Sequence, residues 1–281
     1  MKNKKSKVIF ITGASSGIGR EVAIKLAKDG NKVFAGVRRK IDKNEIESLN
    51  ENITGVYIDV TNQSSIDKAF WFIIKHTDKI DVLINNAGIV VAGPIEFLSV
   101  KRLKEQFDVN TFGAVAVAQK FIPFLKNGLI INVSSMASTG IFPFISAYCA
   151  SKRALDILFN SLLIENKDNI KVVSVKPAAI CTPIWKKSVD KTKELFSELN
   201  EKDLIKYKKE MLYLEKNALE NNMKGIDSSY VVNIVVKIIN SKNPKLSYNV
   251  GFLSYLADFV SRLPLVFVNY LVKFKLNKIN R

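Results

Sequence analysis

Six short runs of branched and aromatic residues recur along the first two-thirds of the chain: "KVIFIT", "KVFAGV", "GVYIDV", "DVLINN", "LIINVS" and "IKVVSV". Between them lie stretches such as "GREVAIKLAKDG", "SSIDKAFWFIIKH" and "AYCASKRALDILFNSLLIENK", in which apolar residues return every three or four positions. That spacing gathers apolar side chains on one face of a helix, whereas the short runs are apolar on both faces of a strand. Strands of that kind must be covered on both sides, so the pattern predicts a parallel sheet between two layers of helices. Right-handed crossovers then give a doubly wound α/β fold, with ligands at the carboxyl ends of the strands. No internal repeat or Gly/Ser linker interrupts the 281 residues, so residues 1–281 read as a single domain.

Two stretches depart from the rhythm. Residues 186–225 are charged, helical in pattern and without a strand, and are expected to form a helical lid over the site. Residues 252–281 are apolar and aromatic, broken by Pro264, and end in basic residues. They read either as a docked terminal helix or as an interfacial contact with a membrane or a second copy. No window reaches 18 uncharged apolar residues, and "VIFI" is too short for the core of a secretion signal. The only cysteines, Cys149 and Cys181, suit a reducing, cytoplasmic setting.

Composition removes several chemistries. His76 is the only histidine, so a multi-histidine metal site is excluded and no metal is expected. It follows "FWFIIK" and reads as a surface residue at a helix end. The formal charge is +17, from 43 basic and 26 acidic residues. These are intermixed, as in "KTKELFSELNEKDLIKYKKE", and no nucleic-acid-binding motif accompanies them. A lysine-rich solvated surface is the reading adopted, and nucleic acid is not an expected partner.

Directly after the first strand comes "TGASSGIGREVA". Gly13, Gly17 and Gly19 allow a tight strand-to-helix turn and bring a phosphate close to the backbone at a helix N-terminus. Placed between a strand and an amphipathic helix, the triplet points to a dinucleotide. The second strand ends "FAGVRRK", with Val37 where an acid would grip a ribose hydroxyl and Arg38 and Arg39 behind it. With Ser15 as an added hydroxyl, this favours NADP over NAD.

A second short stretch, "SAYCASK", sets Tyr148 and Lys152 four residues apart, on one helix face. A phenol of ordinary pKa about 10 is a poor base near neutrality. A cation held about 4 Å away is worth about 4 kcal/mol at an effective dielectric of 20, or about three pKa units. The expectation is a phenol made labile by its neighbour, provided burial does not cancel the effect.

The glycine turn, the "NNAG" of Asn85 to Gly88, and "YCASK" stand in order, and together they resemble the short-chain dehydrogenase/reductase family over residues 7 to about 185. The resemblance implies a Rossmann-type domain, commonly a homodimer or homotetramer, that moves hydride between a nicotinamide cofactor and an alcohol or carbonyl. It gives Tyr148 the part of acid/base and Lys152 that of lowering the tyrosine pKa and binding the nicotinamide ribose. Ser135 in "NVSSMAS" takes the substrate-orienting place, with Ser134 as the competing neighbour, and Asn110 in "FDVNTFGA" links the lysine to solvent. Asp59 and Val60 fall at adenine, and Asn86, Ala87 and Gly88 at the adenosine ribose. Ser16 and Ile18 join the glycine turn, and "VKPAAICTP" supplies Pro177, Ile180 and Thr182 near the nicotinamide. Ala178 stands where the family pattern has glycine.

For substrate, Phe142, Phe144 and Ile145 before the tyrosine and Ile184 and Trp185 after the sixth strand suggest facing apolar walls. With Ser135 and Tyr148 between them, a hydrophobic secondary alcohol or ketone is expected, and "FAGVRR", "TPIW" and the apolar tail resemble the steroid- and retinol-dehydrogenase-like branch. The alternative from another class is a catalytically weak NADP-binding regulatory protein of the same fold, or one associated with a membrane surface.

Overall fold

The computed structural model describes residues 6–125, 127–166 and 169–279, so the basic start of the chain, residues 1–5, lies outside the described residues. Seven strands form one sheet, β1 (Val8–Ile11), β2 (Lys32–Val37), β3 (Ile53–Tyr57), β4 (Val82–Asn85), β5 (Leu129–Val133), β6 (Lys171–Pro177) and β7 (Ser247–Val250). Their spatial order is 3-2-1-4-5-6-7, and every neighbouring pair is parallel. The chain runs outward in one direction from β1 to β3 and then returns to begin again at β4. Strand order therefore reverses between β1 and β4, the crevice where such sheets bind ligands. Each of the six runs overlaps a strand, although β3 begins at Ile53 and ends at Tyr57, so "GVYIDV" starts two residues late and runs three residues past it. The seventh was missed, because "SYNV" is only four residues long and lacks the continuous apolar pattern of the others.

Strand alternation sends residues to two separate cores. Ile9, Ile11, Ile84 and Ile131 pack on one face against α1 (Gly17–Lys28) and α9 (Ser229–Asn240). Phe10, Phe34, Leu83 and Ile130 pack on the other against α3 (Gln63–Ile74), α5 (Gly113–Phe121) and α6 (Ser146–Glu165). Phe10 and Phe121 meet there at 4.8 Å between ring centroids, within the range of favourable aromatic pairs. The remaining long helices are α2 (Lys40–Glu47), α4 (Val100–Phe107), α7 (Ile184–Ser197), α8 (Glu201–Lys224), α10 (Phe252–Val260) and α11 (Leu265–Ile279). The stretch expected as helical and strandless is α7 and α8, and the apolar tail is α10 and α11. His76 lies exposed just past α3, as expected.

Candidate active site

Site geometry starts from the turn between β1 and α1. Gly13 and Gly17 have φ of +68° and +57°, a region that side-chain-bearing residues rarely adopt. At Gly19 the reason is space: a Cβ there would lie 2.3 Å from Asn86 Nδ2 and 2.4 Å from the Gly13 carbonyl oxygen. Asn86 fills that space because its Nδ2 donates to the carbonyls of Thr12 (3.0 Å) and Gly13 (2.9 Å). Thr12 Oγ1 in turn accepts from the amides of Asn86 and Ala87, both at 3.1 Å. The "NNAG" segment is thus a clasp on the glycine turn. Ser16 caps α1 without a side-chain hydrogen bond, so the first amides of the helix are not consumed by their own cap.

That turn opens into a cavity of about 880 Å³ running across the carboxyl ends of the strands. Gly13, Ser15, Ser16, Gly17 and Ile18 line it at one end, with Arg38, Asp59 and Val60 beyond them. Asn86, Ala87, Gly88, Pro177, Ile180 and Thr182 line it too, and Thr182 lies beside the turn, since a Cβ on Gly17 would come within 3.1 Å of its Cγ2. The residues fit an elongated dinucleotide, with backbone amides for its phosphates and no carboxylate at the end of β2. Arg39 does not line the cavity. Its Nε donates to Asp42 Oδ2 at 2.8 Å, closing an ion pair at the start of α2. The sequence could not separate the two arginines, since only the turn into α2 decides which one faces inward. Lys187 of α7 lines the same cavity, and its charge is one of those that hold the Asp42 carboxyl below the ordinary carboxylate range, after Arg39. No motif signalled Lys187.

At the other end, α6 presents Tyr148 and Lys152 to the cavity one turn apart. Lys152 is 4% exposed, and its Nζ donates to the Val133 carbonyl at 2.8 Å and lies 6.0 Å from the tyrosine ring centroid. Full charges at about 6 Å and an effective dielectric of 20 attract by about 3 kcal/mol. Removing a phenolate from water costs at least as much in these apolar walls. The Tyr148 phenol is therefore pushed up to about 12, chiefly by burial, with a hydrogen bond from Ser135 acting the other way. Burial likewise pushes the Lys152 ammonium down to about 8, opposed by Asp156. The condition attached to the lysine's effect is thus not met: in the protein by itself burial outweighs it, and Tyr148 keeps its proton.

Asp156, one turn further along α6 and missed in the sequence, is 3% exposed. It accepts from Ser138 Oγ at 2.6 Å and Ser174 Oγ at 2.9 Å and pairs with Lys176 at 3.4 Å. Ser134 and Ser135 both line the cavity, and Ser135 reaches the phenol, while the Ser134 hydroxyl is buried without a partner among the described residues. The Ser135 oxygen also accepts from the Ala137 amide at 3.1 Å, which fixes its direction.

Asn110 sits in a π-helical turn, Asp108–Phe112, between α4 and α5. Such bulges break the regular helix and turn a side chain inward. Its Oδ1 accepts from the Ile89 amide (2.9 Å), and its Nδ2 donates to the Ile89 carbonyl (3.0 Å) and to Ser151 Oγ (3.1 Å). A Cβ on Gly88 would lie 3.4 Å from that Oδ1 and 3.6 Å from Lys152 Nζ, so Gly88 keeps the ground between amide and ammonium clear. Gln106, also missed in the sequence, ties down the same loop by accepting from the Val91 amide at 2.7 Å. Ala178, where the family pattern has glycine, lines the cavity without a positive φ, so its methyl is accommodated without backbone strain.

The apolar wall contains Phe142, Phe144, Ile145, Ile184 and Trp185, together with Met211 and Leu214 of α8. Phe144 has a φ of +65°, unusual for an aromatic residue. It is held there by its carbonyl, which accepts from the Gly93 amide at 2.7 Å, and by the edge of the Tyr207 ring at 6.5 Å. Trp185 is oriented by donating to the Ile180 carbonyl at 2.7 Å. Among the described residues no group of His, Cys, Asp and Glu could hold a metal ion.

Residues 7–193 match the family model for short chain dehydrogenases. The chain belongs to that family. Similar proteins include a 3-amino-tetrahydro-pyrrolizinone reductase from Xenorhabdus hominickii, 33% identical over 255 residues, covering 87% of each chain. Retinol dehydrogenase 8 from Bos taurus is 29% identical over 252 residues, covering 85% of this chain and 80% of its own. Among solved structures, a short-chain dehydrogenase from Streptomyces avermitilis superposes with a TM-score of 0.75 at 22% identity, covering 92% of each chain. Membership makes the protein an NAD(P)-dependent oxidoreductase of the short-chain dehydrogenase/reductase class.

Proposed function

We propose that the protein is an NADP-dependent oxidoreductase that interconverts a hydrophobic secondary alcohol and its carbonyl, with Tyr148 as acid/base. The observation that carries this reading is convergence: the glycine turn, Arg38, the Ser135–Tyr148–Lys152 group and a continuous apolar wall share one cavity. When bound, the nicotinamide cofactor supplies or accepts the hydride. Everything else falls to the chain.

In the reducing direction a carbonyl oxygen gains charge as hydride arrives at its carbon. Ser135 offers that oxygen a hydrogen bond, and Tyr148 holds the proton it needs. A phenol pushed up to about 12 is fully protonated at neutral pH and so is ready as a donor. Lys152, retaining its proton below about pH 8, stabilises the phenolate left behind. Reprotonation from solvent passes by the space that Gly88 leaves between Lys152 and Asn110. In the oxidising direction Tyr148 must lose its proton first, which requires positive charge beyond Lys152 within the closed site.

Arg38 and Lys187 supply two cations at the adenosine end, without a competing carboxylate on β2, and this supports a 2′-phosphate. Apolar residues of α7 and α8 opposite Tyr148 support a hydrophobic substrate. The similarity to a protein named for retinol is consistent with that chemistry. A homo-oligomer is the assembly expected of such a chain.

The test is Tyr148→Phe. It removes one hydroxyl, keeps the ring packing, and should lower kcat by about 10²–10⁴-fold, the usual worth of a placed general acid, while NADPH affinity stays within about threefold. Unchanged turnover on a verified substrate would overturn the assignment. Intact NADPH binding with no turnover of any alcohol or carbonyl by the wild-type protein would instead favour a regulatory binding protein.

A further inference from the structure

The helices α10 and α11 carry an unusual exterior. Phe252, Tyr255, Phe259, Val266, Phe267 and Tyr270 are between 49% and 82% exposed, where an ordinary soluble surface would carry polar residues. Neither helix resembles a covered element of the core, and among the described residues only Ser254 and Val268 of the two helices are buried. Ser254 anchors α10 by donating to the Lys176 carbonyl at 2.6 Å. Both helices carry their aromatic side outward.

Charge distinguishes the partner. From Gly251 to Arg281 the sequence contains Arg262, Lys273, Lys275, Lys278 and Arg281 against a single acid, Asp258. Aromatic and branched residues beside an almost purely cationic set suit the boundary between headgroups and acyl chains of an anionic bilayer. Arg262 is paired with Asp258 at 2.9 Å, which leaves the segment a net positive charge, and joining two copies through it would set like charge against like. No described helix is long and apolar enough to cross a membrane, so contact would be interfacial.

The same helices reach the cavity from their other side. Leu253 of α10 and Val272 and Leu276 of α11 line it, together with Met211 and Leu212 of α8. Cavity and outward aromatic face are thus back to back across two helices.

We infer that α10 and α11 form a docking surface for an anionic lipid bilayer, and that apolar substrate passes between α8 and these helices directly from the bilayer into the cavity. The inference deepens the proposed function, since it rests on that cavity admitting an apolar substrate. The docking half is testable without any turnover.

The experiment is flotation of the full-length protein with phosphatidylcholine vesicles, with and without about one-third phosphatidylserine, across a salt series. Binding is expected only with the anionic lipid and should weaken with salt. F259E/F267E, at positions that do not line the cavity, should reduce vesicle binding at least tenfold while NADPH affinity is unchanged. K273E tests the charge alone and should weaken binding about fivefold, which keeps the proposal falsifiable if the double variant folds poorly. Absence of flotation by the wild-type protein overturns the proposal. So does a concentration-dependent dimer that F259E/F267E converts to monomer, which would assign the face to a second copy. Loss of activity in Tyr148→Phe bears on the site alone, so failure of docking and failure of the proposed chemistry are told apart. For the portal, the double variant should lose turnover of a vesicle-embedded ketone while keeping that of a water-soluble one. Equal loss of both would overturn it.

Discussion

The two ends of the cavity are built by different physics. Around the glycine turn, positions are held by hydrogen bonds of 2.9–3.1 Å among Thr12, Gly13 and Asn86, and a single Cβ at Gly19 would collide at 2.3 Å. Around the apolar wall, α7 and α8 hold their places through side-chain packing and ion pairs near the surface, such as Arg102–Glu198 and Lys206–Glu96. One end specifies residue identity. The other, apart from Trp185 and Phe144, which hydrogen bonds hold in place, specifies size and hydrophobicity and tolerates exchange among similar side chains. A cofactor common to many enzymes and a substrate peculiar to one would need these two kinds of wall.

The largest effect that follows is at the specified end. Gly19→Ala should lower affinity for NADPH at least 100-fold and destabilise the fold by about 1–3 kcal/mol, because the methyl displaces Asn86 and opens the clasp. Isothermal titration and thermal melting check both. Near-normal binding would mean the clasp yields easily and the contrast between the ends is false.

Next in size is the pair of arginines. Arg38→Ala should weaken NADPH binding about 10–100-fold and leave NADH within about threefold, as loss of a charge-assisted hydrogen bond requires. Arg39→Ala, whose guanidinium is already committed to Asp42, should change neither cofactor by more than about twofold. Equal effects of the two substitutions would place the phosphate elsewhere.

The smallest effect belongs to the tolerant end. Met211→Ala removes apolar contact area and should raise KM for a bulky ketone about three- to tenfold, with NADPH affinity unaltered. A selective loss of NADPH binding would show the two ends to be coupled.

What was legible in the sequence follows the same division. The fold could be read from six apolar runs because a strand buried on both faces has no other composition. Gly13, Gly17, Asn86, Tyr148 and Lys152 could be read because backbone geometry or proton chemistry admits few substitutes. Lys187, Asp156 and Gln106 could not. Each owes its place to partners distant in sequence, Ser138 and Ser174 for Asp156, the Val91 amide for Gln106 and Asp42 for Lys187, and a lysine, aspartate or glutamine in a helix carries no mark of which way it will face. Arg38 and Arg39 are adjacent in sequence and differ only through the start of α2. The four residues of β7 gain their strand from β6 rather than from their own composition.

The balance of forces at Tyr148 was open for the same reason. Spacing gives a cation one turn away, but burial decides the sign, and burial is a property of the assembled walls. The protein alone therefore keeps its phenol protonated, and a positive nicotinamide ring is what would make it a base at neutral pH.

Ultraviolet difference titration of the wild-type protein against Tyr148→Phe measures that balance directly. The phenol is expected to ionise near pH 12 in the free protein. It should shift downward by at least about two units when oxidised cofactor binds, as a positive charge near the ring requires. A phenol that already ionises below pH 10 in the free protein, or one unmoved by the oxidised cofactor, would contradict the account.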